Sequence, residues 1–311
     1  MALLTDPAAT RSCELSVPRR LIAEQDDARC TLCRGRMTPA HAHPWLLQCA
    51  SCGLVRVYPV PDADVLASIY NEQYFHTFGY AVGDEWRYRT IRRESACRLL
   101  TVAERHFALG SLLDVGSGLG DMLAAASGRG WKATGVEPNM WAAKRADHVA
   151  RGATHTCGIE DFEPGDATFD LVTCVDVIEH LRRPDETLSR YFKWLRPGGG
   201  LLMTTPDIGS LLARIMGPQW PHFHIDHLWY FNRATLTALV EQAGFEVCAW
   251  RCAPKVFNIA YIAGIFEHNA QNCWLQAAAR TCLRFLPGRL LRQPLPTIRE
   301  GQLIIARRPP C

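Results

Sequence analysis

Leu112-Leu113-Asp114-Val115-Gly116-Ser117-Gly118-Leu119-Gly120-Asp121 runs from a short apolar, strand-like segment into three glycines at alternate positions, and then into a helical pattern from Met122. Glycine tolerates positive φ and lets main-chain N–H groups approach a ligand where a Cβ would intrude, so this stretch has the anatomy of a nucleotide loop. Outward from it, the periodicity alternates. Strands are expected at 112–115, 133–136, 169–174 and 200–204, and helices at 122–129, 140–150 and 185–195. A helix at 233–243 follows, then strands at 245–250 and 302–306 that would pair antiparallel at the sheet end. The pattern predicts an α/β fold with a doubly wound, Rossmann-like sheet of seven mostly parallel strands and a ligand at their carboxyl ends.

With 311 residues, 48% of them apolar and 21% charged, the chain is long enough for a full α/β core plus smaller attachments. A formal net charge of +3 is too small to argue for a nucleic-acid partner. The first ten residues lack a basic segment followed by an apolar one, and no apolar run reaches membrane-spanning length, so a cytoplasmic protein is expected. Thirteen cysteines in such a chain suggest free thiols and a metal site rather than a disulfide framework.

Cys30-Thr31-Leu32-Cys33 and Cys49-Ala50-Ser51-Cys52 are separated by 15 residues, enough to fold back as a hairpin. Two such pairs can wrap four thiolates around one tetrahedral ion, the spacing of a zinc ribbon. His41 and His43 lie in the gap, but four sulfurs already close the shell, leaving no open position for chemistry. The expected organisation is an arm at 1–29, a zinc-ribbon-like module at 30–58, a helical lid segment at 59–107 and a core at 108–311. Residues 254–299 form an insertion between the last two strands of that core. The lid segment carries Tyr70, Tyr74, Phe75, Phe78 and Tyr80, which serve equally as core or as pocket wall, and Asp84 is placed to cap a long helix.

The glycines argue against a dinucleotide. Its fingerprint separates the second and third glycines by three positions, whereas Gly116, Gly118 and Gly120 are each two apart. Asp121 also puts a carboxylate at the helix N-terminus where a pyrophosphate would sit. A ligand with a zwitterionic end and a ribose fits better, because Glu137 lies about 20 residues beyond the glycines, where a carboxylate reaches ribose hydroxyls.

The ordered set Asp114-x-Gly116-x-Gly118-x-Gly120, Glu137-Pro138, Phe169-Asp170-Leu171-Val172, Val177-Ile178-Glu179-His180-Leu181 and Leu195-Arg196-Pro197-Gly198-Gly199 resembles the motifs of class I S-adenosylmethionine-dependent methyltransferases. The resemblance implies that Asp114, Gly116, Ser117, Gly118 and Gly120 surround the methionine end and that Glu137 and Pro138 border the ribose. It places the adenine against 157–161, with Glu160 or Asp161 as its contact. Cys174 to His180 would then face the sulfonium methyl and the acceptor, with His180 as candidate base.

Asp176, Glu179 and His180 are spaced to share one face, and the run Trp220-Pro221-His222-Phe223-His224-Ile225-Asp226-His227 adds further ligands. The run resembles the segment where small-RNA 2′-O-methyltransferases supply a metal-binding histidine, with His227 as the match. Quinone-biosynthesis O-methyltransferases resemble the Asp176–His180 half. Two readings stand together: a divalent-cation site of Asp176, Glu179, His180 and His227, or the wall of an acceptor pocket in which His180, Asp176 and His227 are catalytic.

A four-cysteine module ahead of such a core resembles bacterial small-molecule methyltransferases, and the expected reaction is O-methylation of a saccharide, polyketide, quinone or lipid-linked acceptor. The alternatives are an RNA-directed 2′-O-methyltransferase with the ribbon on nucleic acid, and a sugar C-methyltransferase. Residues 271–292 combine Trp274, Leu275, Leu283, Phe285, Leu286, Leu290 and Leu291 with four arginines and no acid. They read as a helical cap over the pocket or as an element lying at a membrane surface.

Overall fold

The computed structural model describes residues 29–40, 42–75, 85–150, 153–166, 168–263, 273–295 and 301–310. The arm expected at 1–29, apart from Arg29, lies outside the described residues, as do His41, Phe78, Tyr80 and Asp84.

The main sheet is built from β4 (Ser111–Val115), β5 (Lys132–Val136), β6 (Thr154–His155), β7 (Phe169–Val175), β8 (Leu195–Pro206), β10 (Glu246–Cys252) and β13 (Gly301–Arg307). Their order across the sheet is β10-β13-β8-β7-β4-β5-β6. All neighbours are parallel except β13, which runs antiparallel to both β8 and β10, the sheet end expected from the sequence. The central strands carry continuous apolar runs because helices cover both faces; Leu112, Leu113, Leu171, Val172, Leu201 and Leu202 are fully buried. Removing each such side chain from water stabilises the fold by about 1.5–3 kcal/mol.

Helices α3 (Glu85–Ala103), α4 (Asp121–Gly128), α5 (Met140–Ala150), α6 (Pro184–Trp194) and α8 (Arg233–Gln242) lie against this sheet, preceded in the chain by the short α1 (Ala63–Ile69) and α2 (Glu72–Phe75). Their ends follow local chemistry. Pro184 opens α6 with Asp185 and Glu186 in its first turn, while Asn232 and Thr235 close a reciprocal cap at the start of α8. The strand expected at 200–204 is longer, starting at Leu195. Arg308 is the reason: its main chain pairs with Gly198 and Gly199, and its guanidinium donates to the carbonyls of Phe192 and Leu195.

The cysteine-rich module is a second sheet rather than a detached bead. Strands β1 (Met37–Pro39), β2 (Leu46–Cys49) and β3 (Val55–Val57) form an antiparallel meander, and β9 (Trp229–Tyr230) of the core adds to it beside β3. Val57 N–H also donates to Leu228 O at 2.9 Å. Cys30, Leu32, Met37, Cys49 and Leu54 belong to the same apolar cluster as Val115, Cys174 and Trp229. After α7 (Leu211–Met216), the histidine-rich run leads straight into β9, so the two sheets meet at that run. Strands β11 (Phe257–Asn258) and β12 (Pro294–Leu295) pair antiparallel and tie together the two ends of the insertion.

Candidate active site

The glycine loop leaves β4 with Gly116, Gly118 and Gly120 at φ 68°, 52° and 82°, a region a β-carbon disfavours. A Cβ on Gly116 would meet Val177 Cγ2 at 2.5 Å, and one on Gly120 would meet the Ala146 main chain of α5 at 2.9 Å. The N–H groups do not await a ligand, in contrast to the usual phosphate loop. Those of Gly116 and Ser117 donate to Val136 O, and that of Gly118 donates to Glu137 Oε2 at 2.9 Å. With these donors engaged, the loop suits an ammonium at its carbonyl oxygens better than a phosphate at its N–H groups. Ser117 Oγ is buried without a hydrogen-bond partner among the described residues and lies behind the loop near Gly135.

Asp114 is buried at the end of β4, where it accepts from Thr173 Oγ1 at 2.7 Å; burial raises its pKa to about 7. Asp121 sits close to the guanidinium groups of Arg89 and Arg93 on α3, at 3.9 and 3.6 Å. Those cations explain how the first turn of α4 tolerates a buried carboxylate.

Glu137 ends β5. Its Oε2 accepts from Gly118 N–H and its Oε1 from Asn139 N–H at 2.9 Å, leaving each oxygen a further lone pair, enough for two vicinal hydroxyls. Burial raises its pKa. Pro138 is exposed beside it. Asn139 also donates through Nδ2 to Tyr70 O at 2.5 Å, and Phe75 of α2 reaches within 4.0 Å of where a Gly118 Cβ would stand. The segment ahead of the core thus roofs the loop with Tyr70 and Phe75. Glu160 and Asp161 are both exposed on the turn after β6, where Asp161 N–H donates to Gly158 O. The Cys174 side chain is fully buried against Tyr191, so a ligand contact at this position would be made by its main chain.

Beyond β7 the chain makes a short 3-10 turn at Ile178–His180. Trp229 Nε1 donates to Leu181 O at 2.8 Å, locking this turn to β9 and bringing His227 beside His180 with ring centroids 4.6 Å apart. His180 Nδ1 lies 2.9 Å from the Asp226 carbonyl, 3.5 Å from Asp226 Oδ2 and 2.6 Å from Tyr70 Oη. A carbonyl can only accept, so the tautomer that satisfies Asp226 carries its proton on Nδ1 and leaves a lone pair on Nε2. Burial lowers the pKa of His180 and, together with the neighbouring imidazoles, places that of His227 well below the ordinary value. Both rings are neutral at pH 7, as a base or a ligand requires.

Ligand atoms of Glu179, His180 and His227 lie within 4.8 Å of one another. Neither Glu179 carboxylate oxygen nor His227 Nδ1 has a hydrogen-bond partner among the described residues, and burial with the charge of Asp176 pushes the Glu179 carboxyl to about 8. Asp176, expected as a fourth member, turns elsewhere. At φ 54° it pairs with Lys255 Nζ at 2.9 Å and accepts from Thr204 Oγ1 at 3.0 Å. Burial opposes its charge, but Lys255 outweighs it and holds the pKa below the ordinary value. Lys255 comes from the loop after β10 and carries no sequence signal, while Asp226 and Tyr70 stood in noted clusters without an assigned role.

The four sulfurs of Cys30, Cys33, Cys49 and Cys52 also lie within 4.8 Å of one another, with Cys30–Cys52 at 3.6 Å and Cys33–Cys49 at 3.4 Å. Zn–S bonds of about 2.3 Å in a tetrahedron put sulfurs roughly 3.8 Å apart, so the donor set fits zinc. The two pairs make matching turns. Cys30 and Cys49 accept through their carbonyls from Arg34 and Gly53, both at positive φ, and donate through N–H to Gly35 O and Leu54 O. Although burial works against a Cys49 thiolate, the N–H groups of Cys52 and Ser51 hold its pKa at about 6. His43 stays out of the cluster, its ring stacked on Trp45.

The glycine loop, Glu137 and His180 stand together at the carboxyl ends of β4, β5 and β7, the end of an open α/β sheet where ligands bind. A family model described as a methyltransferase domain matches residues 88–249, and the chain belongs to that family of S-adenosylmethionine-dependent methyltransferases. It is 28% identical over 176 residues to a tRNA U34 carboxymethyltransferase of Methylococcus capsulatus, covering 54% of this chain and 53% of that protein. A ubiquinone biosynthesis O-methyltransferase of Thiobacillus denitrificans is 27% identical over 154 residues, 43% of this chain and 64% of that one. The chain therefore spans about half to two thirds of the length of these relatives. The fold is shared with magnesium protoporphyrin IX methyltransferase from Synechocystis with bound S-adenosylhomocysteine, at TM-score 0.52 and 12% identity over 79% of this chain and 100% of that one.

Proposed function

We propose that this chain transfers the methyl group of S-adenosylmethionine to a hydroxyl of a small-molecule acceptor, with His180 as general base. The observation that carries this reading is His180 Nδ1 held 2.9 Å from the Asp226 carbonyl and 2.6 Å from Tyr70 Oη, an arrangement that with the proton on Nδ1 leaves Nε2 to take one. When bound, S-adenosylmethionine supplies an electrophilic methyl on a sulfonium. In this reading the carbonyls of Gly116 and Gly118 receive its ammonium and Glu137 its ribose hydroxyls, while Phe75 and Tyr70 exclude water from above. His180 removes the acceptor's proton as its oxygen attacks, and Tyr70 and Asp226 hold the imidazole in the productive orientation.

The sulfur cluster is taken to hold a structural zinc ion, closed to chemistry and acting through the sheet it shares with β9. A second reading of the histidine cluster is a divalent cation on Glu179, His180 and His227, favoured by the three buried polar atoms that lack partners. A cation there would orient the acceptor and lower its hydroxyl pKa so that the proton is lost to solvent water, with His180 a ligand and not the base. The ubiquinone biosynthesis O-methyltransferase relative favours a small-molecule acceptor methylated on oxygen; the tRNA relative favours RNA, against which the net charge of +3 weighs.

Calorimetry with S-adenosylmethionine tests the donor, and absence of binding would sink the proposal. With labelled donor, transfer to an acceptor panel should be lost in His180→Ala, and full turnover in that variant would remove the base assignment. Inhibition by EDTA with restoration by a divalent cation would select the second reading. Binding of tRNA that persists as salt is raised would move the acceptor to RNA.

A further inference from the structure

We infer that the helix Cys273–Phe285 and the short helix Gly288–Leu291 after it form a docking face for an anionic lipid bilayer surface. Glu267 and Glu300 are the nearest acids on either side, and between them the chain carries Arg280, Arg284, Arg289, Arg292 and Arg299. Arg280, Arg284, Arg289 and Arg292 are exposed. So are Phe285, Leu286 and Leu290, at 73%, 36% and 41%, on and just after the end of the longer helix.

The arrangement follows from helical spacing. Arg280 and Arg284 are four apart, as are Thr281 and Phe285, so cations and aromatic ring emerge on adjoining outward stripes, and the Arg284 guanidinium lies 5.6 Å from the Phe285 ring centroid. Ala279 and Leu291 are buried and hold the element to the body by its other side, while the β11–β12 pairing anchors the ends of the insertion.

A bilayer with anionic headgroups matches both parts of this face. Phe285, Leu286 and Leu290 enter the headgroup–acyl boundary, and the arginines flanking them meet the lipid phosphates. RNA would satisfy the arginines but leave the three apolar side chains in water. The proposal concerns where the enzyme works and stands apart from the methyl-transfer assignment, which has its own test.

The full chain should float with vesicles of phosphatidylcholine containing phosphatidylglycerol at low ionic strength, bind phosphatidylcholine alone much less, and be released by salt. Arg284→Glu with Arg289→Glu, and separately Phe285→Ser with Leu290→Ser, should each weaken binding by on the order of tenfold. Melting temperature and S-adenosylmethionine affinity should stay at the wild-type values. No binding to anionic vesicles at low salt, equal binding by the arginine variant, or arginine-dependent RNA binding without vesicle binding would each overturn the proposal. Should a variant unfold, lipid and salt dependence of the unmodified chain still decides it.

Discussion

Tyr70 Oη stands 2.6 Å from His180 Nδ1, and the carbonyl of the same tyrosine accepts from Asn139, the neighbour of Glu137. One residue ahead of the core therefore touches both the proposed base and the turn of Glu137, the proposed ribose carboxylate. Tyr70→Phe keeps the main-chain bond and removes the hydroxyl. Turnover should fall about tenfold with S-adenosylmethionine affinity little changed, the split expected of a positioning residue. Nitrogen NMR of His180 should report the Nδ1–H tautomer in the wild type, and a change in ring orientation or pKa should accompany the kinetic loss.

Glu137→Ala removes the acceptor for Gly118 N–H as well as the proposed ribose contact. The loop then loses a charge-assisted bond worth about 1.5–3 kcal/mol. Calorimetry should show the donor bound at least about tenfold more weakly, and Glu137→Gln should lie between. Unchanged affinity in Glu137→Ala would mean the carboxylate only shapes the loop.

Glu179 gives a pH signature. Its folded-state pKa of about 8 lies above the ordinary carboxyl value, so between the two the folded chain holds a proton that the unfolded chain has released. Stability of the metal-free protein should therefore decline as pH rises from about 5 to 8. Glu179→Gln should flatten that slope and be more stable than wild type at pH 8. If a divalent cation occupies the cluster, Mn2+ should raise the melting temperature of the wild type more at pH 8 than at pH 6, and leave Glu179→Gln unmoved.

Lys255→Met leaves Asp176 without its cation. The folded-state pKa of Asp176 is depressed, so the pair stabilises the fold above the unfolded carboxyl pKa, and that stability is lost as pH falls through the folded value. Because Asp176 is 37% exposed, solvent screening keeps the cost at pH 7 to about 1 kcal/mol or less. The difference from wild type should vanish below about pH 3. Urea titrations at the two pH values check this.

Removing the proposed zinc ion should unfold the β1–β3 meander and, through β3–β9, loosen the histidine run. A chelator, or Cys33→Ser, should lower the melting temperature by several degrees, and released zinc should be measurable at one equivalent. Retention of the full melting temperature without zinc would make the sulfurs ordinary thiols.

The middle of the sheet was legible in the sequence because β4 and β7 are buried on both sides and read as continuous apolar runs, set off from amphipathic helices such as α6. β6 escaped notice because two residues, Thr154 and His155, cannot show a period. The glycine loop, Glu137 and the cysteine pairs carry spacing and could be placed. The partners of His180 and Asp176 could not. Tyr70, Asp226 and Lys255 reach them across 110, 46 and 79 positions of chain, separations that only the folded topology brings together. That the Cys174 side chain turns into the core was not legible, because strand alternation places residues on opposite faces without saying which face is covered.

Strand β9 is two residues long and sits at the rim of its sheet, with β3 as its one neighbour. Its pairing makes the cysteine module a cover for an otherwise bare strand edge. A shortened chain beginning at residue 59 would keep every residue proposed to touch the donor yet present Trp229 and Tyr230 with unpaired main-chain groups. It would also uncover the apolar side chains of Leu228, Trp229 and Tyr230 that cluster with Leu54, Val55 and Val57, and an exposed apolar patch recruits other chains. Trimming the module should thus yield a protein that self-associates and precipitates, so its presence bears on colloidal behaviour as much as on catalysis.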